Sequence, residues 1–401
     1  MWPFEFVLAI YSLKIAGYFL LMQRAKRRMV DPSAGIEPRP SVDIVLPMYN
    51  EEKVVIDTIR NLLDIKYSRF SIIVVDDGST DNSYHVVKDR FGRHPLVKLI
   101  RQSNGGKSAA MNRAMSVSNS EIVVTIDADT WVREDAIHNI VRYFDHENVA
   151  AVAGHIKVGN RVNLLTDMQY FEYVAIWDHD RAFSDPINGI LIVPGALAAY
   201  RRSIVDKVGG FKSEVIAEDT ELTLRLLYNG YVLRNASDAV AFTEAPDNLK
   251  MFFRQRVRWT TGLTQGLMKH NKRLFSHSNP FLPWLVLPFT WTFRIILPFL
   301  LPLVDYYFAY VYFLLGRYEA LPWWLGIVVI EACTQFYLLT KNKESVGILK
   351  IMLLQRLYRH LLFCNYWVIL AKWFGGTLFR WGKITRKGNM LLENKTINQS
   401  L

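Results

Sequence analysis

The sequence predicts an α/β domain with a mostly parallel sheet, joined to a helical transmembrane region. Three observations carry this. Short apolar runs alternate with helical patterns from Val42 to Ile126, as in strand–helix–strand units whose strands are buried on both faces. The residues that carry chemistry stand at the ends of those runs, where open parallel sheets bind their ligands. Apolar residues then gather in the first 22 positions and again from Pro280 to Phe374, in stretches long enough to span a bilayer.

Phe4 to Met22 is apolar apart from Glu5 and Lys14, and Arg24, Lys26, Arg27 and Arg28 follow it. A cleaved leader carries its charges before the apolar run, so residues 1–24 are expected to be a transmembrane anchor. The basic flank stays cytoplasmic and places the next domain in the cytoplasm. Residues 25–40, with Pro32, Pro38 and Pro40, suit a basic linker. A catalytic stretch is expected over 41–250. Val42–Leu46 is a strand closed by Pro47, residues 52–63 are helical, and Ser71–Val75 is a second strand ending at Asp76-Asp77-Gly78. Residues 82–90 form a helix, Val97–Ile100 a strand, and Asn104-Gly105-Gly106-Lys107 precedes another helix. Glu121–Ile126 is a fourth strand, and Glu218-Asp219 opens an amphipathic helix through Leu222, Leu226 and Leu227.

Interfacial helices are expected over 251–278 and a transmembrane region over 279–374. Pro280–Leu315 holds two short spans' worth of apolar residues, broken by Pro298 and Pro302, and Leu321–Leu339 is another span. Leu349–Ala371 is interrupted by Arg356, Arg359 and His360. Four crossings after the catalytic stretch, or two with 349–371 partly interfacial, both leave the basic 375–401 tail inside. The predicted place is therefore the plasma or inner membrane, multi-pass.

The 401 residues carry a formal charge of +11. Nucleic acid, anionic lipid or a phosphorylated substrate would each match that excess. Much of it flanks apolar segments, and no nucleic-acid motif accompanies it, so membrane lipid is the expected partner and nucleic acid is not. Cys333 and Cys364 lie in apolar stretches without metal-ligand spacing, which predicts neither a disulfide nor a zinc site. His155, His179 and His270 share no ligand spacing either.

Asp127 and Asp129 follow a strand. At i and i+2 of an extended chain they point to one side and can share a ligand. Two hard carboxylates there suit Mg²⁺ or Mn²⁺ also held by phosphates; an ordinary acidic loop has the same sequence. At the end of the second strand Asp81 can simply cap the next helix and Asp76 can face solvent, or a buried carboxylate, Asp77, can instead meet a base or a ribose hydroxyl. Lys107, after two glycines, can reach a phosphate or merely follow a turn. Glu218 and Asp219 fit either an acidic first helical turn or a general base for an attacking hydroxyl. Gln255, Arg258 and Trp259, in the pentad Gln255-Arg256-Val257-Arg258-Trp259, share one face if helical. That face joins an amide, a phosphate-gripping guanidinium and a flat indole.

In order along the chain, Pro47-Met48-Tyr49-Asn50-Glu51, Asp76-Asp77-Gly78-Ser79, Asp127-Ala128-Asp129, Ala217-Glu218-Asp219 and the pentad resemble the processive, membrane-embedded glycosyltransferase family 2 synthases. These make cellulose, chitin, hyaluronan and poly-N-acetylglucosamine. The resemblance covers about residues 40 to 275, and it implies a GT-A fold, a UDP-sugar donor, a polysaccharide acceptor and a divalent cation. It implies that Tyr49, Glu51 and Asp77 hold the uridine, Asp127 touches ribose and diphosphate, and Asp129 ligates the metal. Asp219 would be the base, with Gln255, Arg256 and Arg258 on the departing diphosphate and Trp259 beneath the acceptor sugar. Ala217 departs from the Thr of many members.

Gln169-Tyr170-Phe171-Glu172-Tyr173, Gly195–Arg201 and QRVRWTTG resemble the poly-N-acetylglucosamine synthases more than the cellulose synthases. Trp381–Gly388 resembles a gating segment of hyaluronan-type synthases, and equally a basic inside tail. The expected function is an inverting, processive polysaccharide synthase, using N-acetylglucosamine and translocating its product, with room for accessory export subunits. The alternatives are single addition to a lipid-linked acceptor and a non-catalytic scaffold or export subunit.

Overall fold

The computed structural model describes residues 39–275, 281–341 and 348–375, together with 4, 5, 8–10 and 12. The tail expected over 375–401, including Trp381–Gly388, and most of the 1–24 and 25–40 segments lie outside the described residues. Contacts divide the chain into two units. One is helical, with 1–29, 167–186 and 279–380; the other, built on a sheet, has 30–166, 187–278 and 381–401.

The sheet unit begins with β1 (Val42–Met48), α1 (Val55–Leu63), β2 (Phe70–Asp76), α2 (Ser83–Phe91), β3 (Val97–Arg101), α3 (Lys107–Val117) and β4 (Ile122–Thr125). The apolar runs that predicted these strands are fully buried at their centres: Ile44, Val45, Leu46, Val74, Val75, Val123 and Val124. Helix α1 buries Val55, Thr58, Ile59 and Leu62, a spacing of three and four that gives one inward face. β5 (Thr130–Val132), α4 (Ala136–Val141) and β6 (Val149–Val158) follow. Helices α5 (Leu164–Glu172) and α6 (Asp178–Ser184) come next, then β7 (Ala198–Arg201), α7 (Arg202–Lys207), α8 (Glu218–Tyr228), β8 (Val232–Thr243) and the 27-residue α9 (Leu249–Phe275).

The eight strands are ordered β3-β2-β1-β4-β7-β6-β8-β5. β1 runs parallel to β2 and β4, and β2 parallel to β3. The second half is mixed: β6 runs parallel to β8, in keeping with a mostly parallel sheet, and the antiparallel pairs involve the short strands. β7 lies antiparallel to both β4 and β6, and β5 antiparallel to β8. β7 is short and enters between β4 and β6 from the opposite end, a reversal that no apolar pattern encodes. The register Met48↔Asp76, Asp76↔Arg101 and Val45↔Thr125 brings the carboxyl ends of β1, β2, β3 and β4 to one edge. Residues 49–51, 77–78, 102–107 and 126–129 emerge there.

The helical unit contains Leu282–Leu314, Ala320–Lys341 and Ile348–Phe374, here α10, α11 and α12. The two short spans expected over Pro280–Leu315 are one helical segment of 33 residues, about 50 Å long at 1.5 Å per residue. Its prolines do not break it. Wide π turns at Leu282–Val286, Trp291–Ile296 and Tyr310–Leu314 alternate with α turns and accommodate the missing proline donors. Phe4, Leu297, Leu301, Phe308, Val311, Ala320 and Ile327 form a core cluster, in which Phe308 stacks on Trp324 at 4.6 Å.

The basic residues that interrupt α12 are neutralised by its neighbours. Arg359 reaches Glu331 at 2.8 Å and Asp305 at 2.9 Å, and Arg356 pairs with Asp305 and lies 3.2 Å from Glu331. The segment 167–186, counted in the catalytic stretch by sequence, shares partners with these helices. Tyr358 donates to Glu172 at 2.6 Å, and Arg294 to Asp180 at 3.2 Å.

Candidate active site

Asp77 stands one residue past β2, with its carboxylate turned to the loop after β3. It accepts from Gln102 Nε2 (2.7 Å), Gly105 N (2.9 Å) and Gly106 N (2.8 Å). Gly106 has φ +84°, and a Cβ on Gly78 (φ +73°) would stand 2.7 Å from Asn104 N. Only glycine fits so close an approach in that conformation. Asn50, itself at φ +55°, accepts from Thr80 N (2.7 Å) and donates its own N–H to Ser79 Oγ (2.9 Å). Tyr49 and Glu51 flank this turn, and Tyr49 is exposed. Asp81 sits before α2 and accepts from Ser83 N (3.0 Å), serving the start of that helix. Asp76 does not face solvent. It is fully buried and pairs with Arg101 at 3.1 Å, because its place at the end of a central strand points it inward.

The loop so fastened delivers Lys107, the first residue of α3. Its Nζ lies 2.6 Å from Asp127 Oδ1 and 3.3 Å from Glu218 Oε1. Burial works against the ammonium, but Asp127, then Glu218 and Asp219, outweigh it and raise its pKa. Asp127 and Asp129 are not in extended chain as expected. Thr130 N donates to Asp127 O at 3.0 Å, a tight turn that ends β4 and starts β5. The turn leaves Asp127 half-buried on Lys107 and buries Asp129, which accepts from Thr130 Oγ1 at 3.3 Å.

Glu218 and Asp219 open α8 after the extended Ala217. Asp219 Oδ1 accepts from Thr220 N (2.7 Å), and Oδ2 from Gly195 N (3.3 Å). Burial, then the like charge of Glu218, raises the Asp219 pKa; Lys107 and these two amides only partly offset the rise. A carboxyl held above its ordinary range is a better proton acceptor at neutral pH. A Cβ on Gly195 would lie 3.0 Å from Lys107 Nζ and 3.9 Å from Asp219 Oδ2, so glycine there lets lysine and carboxylate share the space. Tyr200 is buried, and its hydroxyl has no hydrogen-bond partner among the described residues. Burial, followed by Asp219, Glu218 and Asp127, drives its pKa well up, so it stays a neutral phenol.

The pentad is helical, within α9. Gln255 and Arg256 are buried, while Arg258 and Trp259 are half-buried. Arg256 lies over the rings of Phe252 (5.1 Å) and Trp259 (4.5 Å), so one indole face is occupied from within its own helix. The seam between α8 and α9 holds a second ionic group. Glu221, fully buried, pairs with Arg225 (2.7 Å), His270 (3.3 Å) and Lys269 (3.4 Å). Burial alone would raise the Glu221 carboxyl; His270 and Arg225 override it and hold its pKa down to about 2.

Glu221 and His270 escape a motif reading, while Gly195 and Gly262 stand inside the segments Gly195–Arg201 and QRVRWTTG, whose pattern says nothing of what these glycines make room for. The i, i+4 pair of Glu221 with Arg225 was the available signal for Glu221, and glycines inside a helix that for Gly262 and Gly266.

Residues 43–209 match the family model described as glycosyl transferase family 2. This chain carries a glycosyltransferase family 2 domain. A protein of Bacillus subtilis (strain 168), "Probable glycosyltransferase YdaM", is 30% identical over 249 residues, 59% of this chain and 58% of that protein. The "Poly-beta-1,6-N-acetyl-D-glucosamine synthase" of Staphylococcus aureus (strain COL) is 25% identical over 264 residues, 65% of this chain and 64% of that one. The matched stretch thus spans less than two thirds of either relative. A mannosyltransferase structure, PcManGT from Pyrobaculum calidifontis in complex with GDP-Man and Mn²⁺, shares the fold. Its TM-score is 0.61 at 23% identity, over 84% of this chain and 98% of that one. The glycosyltransferase domain is a GT-A fold with a mixed sheet.

Proposed function

We propose that this chain is an inverting β-glycosyltransferase that extends a polysaccharide from a UDP-sugar, N-acetylglucosamine being the favoured sugar. The observation that carries this is the pairing of a raised-pKa base, Asp219, with a lysine-bound carboxylate turn at the strand ends, in a domain of this family. The acceptor hydroxyl attacks the anomeric carbon in line, Asp219 takes its proton, and the sugar–phosphate bond breaks with its electron pair leaving on UDP. Arg258 and Gln255, with Arg256 behind them, meet the diphosphate where charge develops. Tyr49, Glu51 and Asp77 line the uridine side, and Trp259 offers its remaining face to the acceptor sugar.

Among the described residues no three acids or histidines are gathered to hold a metal by themselves. Asp129, buried beside the Asp127 turn, is a hard ligand that fits Mg²⁺ or Mn²⁺ whose shell substrate oxygens and water complete. Such an ion would neutralise charge on the diphosphate.

A membrane location and translocation of the product belong to the same proposal. Only 28% of the apolar window of each candidate span, Leu282–Leu314 and Ala320–Thr340, is buried, so most apolar side chains there face outward, as lipid-facing helices require. The similarity to a poly-N-acetylglucosamine synthase supports the choice of sugar and a processive product, and accessory export subunits are compatible with it. The test is incubation of purified membranes with single UDP-sugars and Mg²⁺ or Mn²⁺, sizing the product before and after linkage-specific glycosidases. A long polymer from UDP-N-acetylglucosamine is expected. Consumption of UDP-glucose alone would overturn the sugar, single addition would overturn processivity, and no turnover would favour a scaffold.

A further inference from the structure

Helix α9 carries two glycines in its interior, Gly262 and Gly266, each of which weakens a helix relative to alanine. Both face α8. A Cβ on Gly262 would stand 2.5 Å from Ala217 Cβ and 3.1 Å from Ala217 N; one on Gly266 would stand 3.0 Å from Leu224 Cδ1 and 3.5 Å from Thr220 Cγ2. Leu224 can swing a methyl aside, but Ala217 Cβ is bonded to the backbone and can yield only if the helices part.

Ala217 immediately precedes Glu218 and Asp219, and Gly262 follows Trp259 by three residues and Arg258 by four. One contact therefore sets the spacing between base and pentad. The contacts 217 with 262, 220 and 224 with 266, and 221 with 270 rise together, so the two helices run in the same direction. The pentad lies one to two turns ahead of Gly262, about 5–10 Å, and so passes the end of α8 on which Asp219 stands. Gln265 Oε1 accepts from Ile216 N at 3.2 Å, and the Glu221 group closes the far end of the seam.

We infer that Gly262 is a positioning residue, whose missing side chain seats α9 on Ala217 and so sets Arg258 and Trp259 against Asp219. The inference rests on the glycosyltransferase reading above. It also explains why alanine, a small residue, is accommodated at 217.

The test compares the full chain with Gly262→Ala and with the double variant Ala217→Gly/Gly262→Ala, which removes the methyl that the new Cβ strikes. In Gly262→Ala, kcat for sugar incorporation is expected to fall on the order of 100-fold. KM for the donor should move far less, because the charge that Arg258 meets develops in the transition state. The double variant should recover about tenfold or more of the lost kcat. Amide hydrogen exchange of 218–228 should quicken in the single variant and return in the double. Wild-type kcat in Gly262→Ala, or recovered exchange in the double variant without recovered kcat, overturns the inference. A wild-type chain that incorporates no sugar sinks the glycosyltransferase reading instead. The seam is then decided by exchange alone: unchanged exchange in Gly262→Ala overturns it, and quickened exchange reversed by Ala217→Gly supports it.

Discussion

Two groups of charges, one in each unit, join aspartate and glutamate to basic side chains and differ in how their charges sum. In the helical unit, Asp305 and Glu331 meet Arg356 and Arg359, two acids against two guanidinium groups. Trp324 Nε1 adds a further donor to Asp305 at 2.8 Å. In the sheet unit a single ammonium, Lys107, serves Asp127, Glu218 and Asp219. A balanced group in a low-dielectric interior resists change, since removing either sign strands the other. An unbalanced one holds its last proton tightly, which the raised Asp219 pKa expresses. The first arrangement is scaffold; the second is ready to exchange a proton or take a cation.

Neutralising Asp219, the proposed base, breaks the comparison most sharply. Asp219→Asn should lower sugar transfer by about 10² to 10⁴-fold, measured as labelled polymer, without lowering thermal stability. Asp219's folded pKa is raised, so its contribution to stability is present at low pH and lost as pH rises through that value. The amide removes this liability and should make stability less dependent on pH. Glu331→Gln should do the opposite. It leaves a buried guanidinium under-compensated and should cost about 3–5 kcal/mol, read from unfolding in detergent.

Lys107→Met should sharpen the imbalance. With the cation gone, Asp219 binds its proton still more tightly, so the acid limb of the pH–rate profile should move to higher pH. UDP affinity, measured by calorimetry, should fall. Glu221 supplies a contrasting pH signature. Its folded pKa is depressed to about 2 from 4.5, so its stabilisation is present above 4.5 and lost as pH falls towards 2. Glu221→Gln should flatten stability over that window. Tyr200→Phe should have the smallest effect. Removing a buried hydroxyl without a hydrogen-bond partner should leave stability unchanged or raise it by up to about 1 kcal/mol, checked by thermal unfolding.

The elements legible in the sequence were those set by local pattern. Alternation of buried runs with helical spacing located β1 to β4 and α1 to α3 to within about three residues, because such strands must be apolar along their whole length. The strand-end rule brought Asp77, Asp127 and the 104–107 loop to one edge. Contacts between distant positions were not legible. Lys107 meets a partner 20 residues away in Asp127 and another far beyond it in Glu218. Glu221 and His270 are 49 residues apart. The reversal of β7 and the turn at Asp127–Thr130 also escaped, since short segments fit either direction and either conformation.

The amino-acid order by itself determined which residue types stand at the strand ends, that the pentad lies on a helix, and where long apolar segments occur. Those features follow from side-chain polarity and from periods of two and 3.6 residues. Only the tertiary structure decided which carboxylates share Lys107, that Asp219 carries a raised pKa, that Asp76 is buried on Arg101, and that Arg356 and Arg359 are neutralised within the helical unit. Charge balance and burial depend on every neighbour in space, and a local pattern does not encode those neighbours.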